Sequence, residues 1–410
     1  MSKGLPTDPY KGVRDFYPAD FAKREKIFSA WRAVSRRFGY EPYDASPLEA
    51  TEIYAAKTGD EIVGEQTYTF TDRGDRSVTL RPEMTPTVAR MVAARRRDLA
   101  FPLRFYSIPN LFRYESPQRG RLREHYQWNC DVFGIPGIEA EVELIQMAVE
   151  SLQSLGLKPE NFEVRLNDRA ALSGWFEAQG YSNTQTKALL RLLDKRRKIE
   201  DFDAQAAEVA GKPFVFEMGE PESVRTVREQ LALRKITNVS FVPDMVRGFD
   251  YYTGVVFEVF EKSGKNPRSV AGGGRYDKLL EIFGEPGIPT AGFGMGDVVL
   301  GDVLEDAGLA AGEATAPAVT VIPLAAEQVQ AAEKFADQLR CGRSSPSVAV
   351  DPTDRKLGDR LATAGKRGSK FAAIVGPKEA ASGTATLKNL ETAEQSAAPL
   401  TAEEFAKNIG

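Results

Sequence analysis

Glu124-His125-Tyr126-Gln127-Trp128-Asn129-Cys130-Asp131-Val132-Phe133 is the stretch whose reading decides the fold. Successive side chains of a strand point to opposite faces. Read that way, Glu124, Tyr126, Trp128 and Cys130 share one face, and His125, Gln127, Asn129 and Asp131 form a wholly polar row on the other. Such a row is either a solvent-facing sheet or the floor of a ligand site. Upstream, residues 104–115 read as a second strand, with Arg113 and Glu115 on the face opposite Phe112 and Tyr114. The turn between them, Ser116-Pro117-Gln118-Arg119-Gly120-Arg121-Leu122-Arg123, is rich in arginine. Guanidinium groups match phosphate oxygens bidentately, so Arg113, Arg119, Arg121 and Arg123 tilt the reading toward a ligand floor.

Working outward, Leu80-Arg81-Pro82-Glu83-Met84-Thr85-Pro86-Thr87 predicts a helix start, with Thr85 as N-cap and Pro86 at the first helical position. Residues 20–38 and 138–155 carry helical apolar spacing and stop at Gly39 and Gly156. Residues 168–235 are rich in Ala, Gln, Lys and Glu and read as helical. They include the run Lys195-Arg196-Arg197-Lys198, which fits either a nucleic-acid grip or a solvated face. Strand character returns at 239–260, so a helical insertion inside a sheet domain is the simplest account. Arg247-Gly248-Phe249-Asp250-Tyr251-Tyr252-Thr253-Gly254 and Ala271-Gly272-Gly273-Gly274-Arg275-Tyr276-Asp277 offer close backbone approach to a ligand or, equally, tight strand connections. Residues 306–317 read as a linker. The alternating βα pattern after it predicts a small, mostly parallel α/β domain.

Composition bounds the chemistry. The chain has 410 residues, enough for two or three domains, with 54 Lys+Arg against 58 Asp+Glu. That balance excludes a uniformly basic coat but allows a local basic cleft. Two cysteines exclude a disulfide scaffold or a Cys-cluster zinc site and suit a reducing compartment. The N-terminus lacks the apolar core of a signal peptide, and no run of about 18 apolar residues occurs. A cytoplasmic protein with no membrane span is expected. The single histidine, His125, excludes every two-histidine metal or ligase signature, and no Walker A sequence is present. Chemistry here depends on Arg, Glu, Gln and Tyr, which suits charge stabilisation.

Taken in order, these segments resemble the class II aminoacyl-tRNA synthetases, and among them the histidyl-tRNA synthetase family, over nearly the whole chain. Gly12-Val13-Arg14-Asp15-Phe16 is similar to the family's opening, and Pro47-Leu48-Glu49 to its first motif. Phe112 to Gln127 matches its second motif. Arg247–Thr253 and Gly272–Asp277 resemble its two histidine-specific signatures. The segments Arg355-Lys356-Leu357-Gly358 and Ile374-Val375-Gly376 are similar to its anticodon-binding domain. The resemblance implies an α+β fold: an antiparallel sheet with flanking helices, a helical insertion and a C-terminal α/β anticodon-binding domain. The expected divisions are a catalytic core at 1–167 and 237–308, the insertion at 168–236, and the anticodon-binding domain at 317–410.

The implied reaction activates L-histidine with ATP to histidyl-adenylate and transfers it to histidine tRNA. Arg113 and Arg247 are then the catalytic cations, both also touching histidine. Glu115 would accept from the adenine amino group, and His125, where the family often has Phe, would stack on the ring. Arg121 would reach the outer phosphates, with Mg²⁺ accompanying ATP. Glu83, Thr85 and Gln127 would hold the ammonium, Asp131 and Tyr252 the imidazole, and Tyr251 would line the pocket. A homodimer is implied as well. Two departures stand out: Val299 occupies the place of the third motif's arginine, with Arg275 and Lys278 as candidate replacements, and Ser116 stands where many relatives carry an arginine facing the tRNA end. Val299 leaves one alternative open, a non-catalytic histidine-sensing regulatory subunit of ATP phosphoribosyltransferase. Residues 318–410 and the pair Arg113/Arg121 favour the ligase.

Overall fold

The computed structural model describes residues 4–58, 66–194, 196, 199–246, 251–312, 316–341 and 346–399. They form two units, 1–312 and 313–410, each with its own core. In the first unit the strands are β1 (Glu41–Pro42), β2 (Leu48–Ala50), β3 (Tyr68–Thr71), β4 (Ser77–Leu80), β5 (Leu103–Ser107), β6 (Asn110–Phe112), β7 (Glu124–Phe133), β8 (Phe162–Asp168), β9 (Val239–Phe241), β10 (Val255–Glu261), β11 (Ala271–Arg275) and β12 (Thr290–Gly296).

Among the described residues one sheet runs in the order β1-β5-β7-β12-β11-β10-β8-β9, with β6 paired to one end of β7. Its interior pairings are antiparallel, and only the edge pairs β1/β5 and β8/β9 are parallel. Ile108-Pro109 interrupts the strand expected over 104–115, leaving β5 and β6 as separate pieces on β7. The period-two reading of β7 gives the packing. Trp128 and Cys130 are fully buried in the main core, with Tyr126 packed against it. Helices Pro18–Arg37 and Glu139–Ser154 close over that face. Trp31 stacks on Trp128 at 6.0 Å, and the Trp128 indole donates to Ser35 Oγ at 3.0 Å, so the one polar atom of that ring is satisfied.

Among the described residues four α-helices lie between β8 and β9, Arg169–Ala178, Asn183–Asp194, Phe202–Ala210 and Glu222–Leu233. The first three bury Leu172, Phe176, Leu189 and Ala206 in a cluster of their own. The fourth puts Val224, Val227 and Leu231 into the main core instead. Of the run at 195–198 only Arg196 lies within the described residues, its guanidinium 4.8 Å from the Phe202 ring centre.

The second unit carries β13 (Val319–Pro323), β14 (Val348–Val350), β15 (Phe371–Val375), β16 (Thr384–Asn389) and β17 (Gln395–Pro399), in the order β14-β13-β15-β16-β17. The parallel expectation holds for β14, β13 and β15 only. The short helix Pro377–Ser382 is too small a connection to carry the chain back for a parallel pairing, which needs a dozen or more residues. So β16 and then β17 pair antiparallel.

Candidate active site

The polar row of β7 lies across a strip of bare backbone. In the β7/β12 register Asp131 is opposite Gly292 and Asn129 opposite Gly294. A β-carbon on Gly292 would stand 2.7 Å from Asp131 Oδ1, and one on Gly294 would stand 2.7 Å from Gln127 Cδ. The two glycines therefore leave the room that the polar side chains occupy. Above this floor opens a cavity of about 250 Å³.

Its walls come from distant stretches of chain. Glu83 and Thr85 reach it from the start of the helix Thr85–Ala94. Thr85 is itself the first helical residue rather than the expected cap, and no side chain caps that end. The turn before it is held by Arg81, which is buried and donates to the carbonyls of Ala45 at 2.7 Å and Asn110 at 3.0 Å. Arg113, Glu115, Arg121, His125 and Gln127 enter from the β6–β7 connection and from β7. Tyr251 and Tyr252 enter from the segment before β10. Asp131 sits at the base, fully buried, and accepts a hydrogen bond from the Tyr276 hydroxyl. Burial, together with the Asp131 charge, pushes the Tyr276 pKa up, so the phenol stays a donor. Nine of the eleven expected site residues thus share one cavity, with Asp131 beneath it. Arg247, the remaining one, lies outside the described residues.

Burial, then the charges of Arg113 and Arg14, lowers the His125 pKa from 6.5 to about 3, so the ring is neutral at any ordinary pH. Arg121 pairs with Glu115, its Nη2 donating to Oε1 at 2.6 Å. Of the four arginines first grouped together, only Arg113 and Arg121 face the cavity. Arg119 turns outward to Asp306, at 2.7 Å, on the helix Asp297–Asp306. Arg123 donates to the Glu115 carbonyl at 3.0 Å and lies over the Tyr114 ring. Asn129, Arg268 and Tyr276 also line the cavity without having been assigned a role. Asn129 belonged to the polar row and Tyr276 to the glycine-rich signature, so both carried a signal; Arg268 carried none.

A family model described as histidyl-tRNA synthetase matches residues 12–210 and 163–296, and one described as an anticodon binding domain matches residues 318–409. The chain belongs to the histidyl-tRNA synthetase family. It is 38% identical over 416 residues to the histidine–tRNA ligase of Leptospira biflexa serovar Patoc, covering 95% of each chain. It is 36% identical to that of Halobacterium salinarum, covering 96% of each. A crystal structure of histidyl-tRNA synthetase from Nostoc sp. PCC 7120 superposes with a TM-score of 0.80 over 99% of both chains at 23% identity, which speaks for the shared class II α+β fold.

The departure expected at the third motif falls on the cavity wall. Val299 lines the cavity from the helix Asp297–Asp306, where the family's arginine would stand. Neither proposed replacement serves. Arg275 is buried and donates from Nε and Nη2 to the two oxygens of Glu141, each at 2.7 Å, which takes it out of the site. Lys278 is exposed and does not line the cavity.

Proposed function

We propose that this chain activates L-histidine with ATP and transfers the histidyl group to histidine tRNA. The carrying observation is the convergence of Arg113 and Arg121 with the polar β7 row in one cavity. Adenylate formation builds negative charge at the α-phosphate, and a positioned cation there contributes about 3–4 kcal/mol to the transition state. Arg113 takes that role, its Nε anchored on the Pro82 carbonyl at 3.0 Å. Arg247 is assigned to bridge phosphate and substrate carboxylate. His125, kept neutral, offers its ring face to adenine, and Glu115 accepts from the adenine amino group once Arg121 swings to the outer phosphates. Glu83, Thr85 and Gln127 take the ammonium; Asp131, Tyr251 and Tyr252 enclose the imidazole. Sites built from hydrogen-bonding groups reject analogues lacking the matching group by about 10⁴–10⁵.

Mg²⁺ would accompany the nucleotide and supply positive charge against its phosphates. Among the described residues no cluster of three or more His, Cys, Asp or Glu is placed to hold a metal ion. The helices of 168–236 are assigned to the acceptor stem and residues 317–410 to the anticodon. A homodimer is supported by Leu48 and Phe70, large apolar side chains left about half exposed on the small sheet β2-β4-β3, and sedimentation velocity reads the mass. A cytoplasmic site is supported by two unbridged cysteines, and cell fractionation checks it. No helix among the described residues is long and apolar enough to cross a membrane.

The deciding experiment is histidine-dependent exchange of pyrophosphate into ATP. Exchange is expected. Its absence, with histidine binding intact, would favour the regulatory-subunit reading.

A further inference from the structure

The cavity has a hole in its charge pattern at Val299 and an unassigned cation on another wall. Among the described residues three arginines line it, Arg113, Arg121 and Arg268. Arg121 is paired with Glu115, while Arg268 makes no ion pair with any carboxylate among the described residues. The other cations nearby are engaged: Arg14 with Asp297 at 2.8 Å, Arg119 with Asp306, Arg275 with Glu141.

Arg268 is held in place by its backbone. It sits in the connection between β10 and β11, where the buried Asn266 accepts from the Arg268 N–H through Oδ1 at 3.1 Å and donates its own N–H to Glu261 Oε1 at 2.9 Å. The side chain passes over Gly120 in the arginine-rich turn. That glycine has φ of 72°, and a β-carbon there would stand 3.0 Å from Arg268 Cδ. The stem is therefore packed on the turn that carries Arg121. Burial first, then the fields of Arg268 and Arg113, pull the Arg121 pKa below its ordinary value. Guanidiniums of Arg113, Arg121 and Arg268 converging on one cavity make a site prepared for a polyanion.

We propose that Arg268 supplies the cation missing at Val299, holding the outer phosphates of ATP and the departing pyrophosphate. The proposal rests on the ligase reading above. In that step an oxygen of the histidine carboxylate bonds to the α-phosphorus. The bond from that phosphorus to the bridging oxygen of the β-phosphate breaks, and its electron pair leaves on pyrophosphate. Charge grows on the bridging oxygen as it departs, which is where a guanidinium beside Arg121 acts.

The test uses the full chain with Arg268→Ala and Arg268→Lys, titrated with ATP, pyrophosphate and AMP by calorimetry. Losing a charge-assisted contact is expected to weaken ATP and pyrophosphate about 10- to 100-fold. AMP, which lacks the outer phosphates, should stay within about twofold, and lysine should recover part of the loss. If the alanine variant does not fold, Arg268→Gln keeps much of the stem and is expected to give the same split. Equal weakening of ATP and AMP, or no change in either, overturns the proposal. The ligase reading fails separately: wild-type chain without pyrophosphate exchange sinks it, while the ATP-against-AMP comparison still decides what Arg268 binds.

Discussion

His125→Phe should flatten the acid side of the stability profile. In the folded chain burial and the nearby guanidiniums hold the imidazole pKa near 3, against 6.5 when unfolded. A base whose pKa is depressed by folding binds fewer protons in the native than in the unfolded state. Its stability contribution is intact above pH 6.5 and is lost as pH falls toward 3. The slope in that window is about 1.4 kcal/mol per pH unit, and integration from pH 7 to pH 5 gives a loss of about 2 kcal/mol. Phenylalanine does not titrate, so the variant should escape that loss whatever its absolute stability at pH 7.

Urea unfolding followed by tryptophan fluorescence reads this directly, because Trp31, Trp128 and Trp175 all belong to the first unit. Other acids titrate in the same range, but they are common to both chains and cancel in the difference. As the only histidine, the ring also gives a single imidazole resonance, expected to stay flat from pH 7 to about 4.5. If wild type and variant lose stability in parallel, or if the resonance titrates near 6, the ring is protonated in the fold. The neutral stacking surface assigned to it then fails.

Two further outcomes follow from the geometry. Gly294→Ala sets a methyl 2.7 Å from Gln127 Cδ, a clash that a side-chain amide relieves by swinging away; histidine KM in pyrophosphate exchange should rise about tenfold with little change in Tm, and an unchanged KM would clear Gln127 of binding the ammonium. Glu141→Ala strands the buried Arg275 guanidinium and should cost about 3–5 kcal/mol in urea unfolding, whereas a cost under about 1 kcal/mol would mean that the pair is not closed off from water.

The parts of the site legible in the sequence are those that a local rule reaches. Period two sorted β7 into a core face and a polar face because one strand stands between helices and a cavity. The same rule could not sort the arginines. Arg119 and Arg121 are two residues apart, yet one is drawn off by Asp306, 187 positions away, and the other is held by Glu115. Arg275 looked available because its partner Glu141 is 134 residues upstream, and the role of Tyr276 went unread because its partner Asp131 is 145 residues upstream. Pairings of that range are set by sheet order, which neither spacing nor composition encodes. The antiparallel turn of β16 and β17 escaped for a different reason: the alternating βα pattern points to parallel pairing, but the connection after β15 is too short for a parallel crossover.

That sorting of cations is also what the function turns on. A guanidinium taken out of water costs several kcal/mol unless a carboxylate or carbonyl meets it, so a fold that buries arginines must pair them. Arg275 with Glu141 and Arg14 with Asp297 obey this, and in doing so hold β11 to the helix Glu139–Ser154 and the N-terminal segment to the helix Asp297–Asp306. Arg268 does not: it is half-buried beside two other guanidiniums with no carboxylate of its own among the described residues, and its position is maintained by its backbone contact with Asn266 and by packing on Gly120. Guanidiniums gathered in one cavity raise the local positive potential and favour the arrival of an anion. A valine at the third-motif position is then compatible with catalysis, because the positive charge the reaction requires enters the same cavity from the β10–β11 connection instead of from the helix.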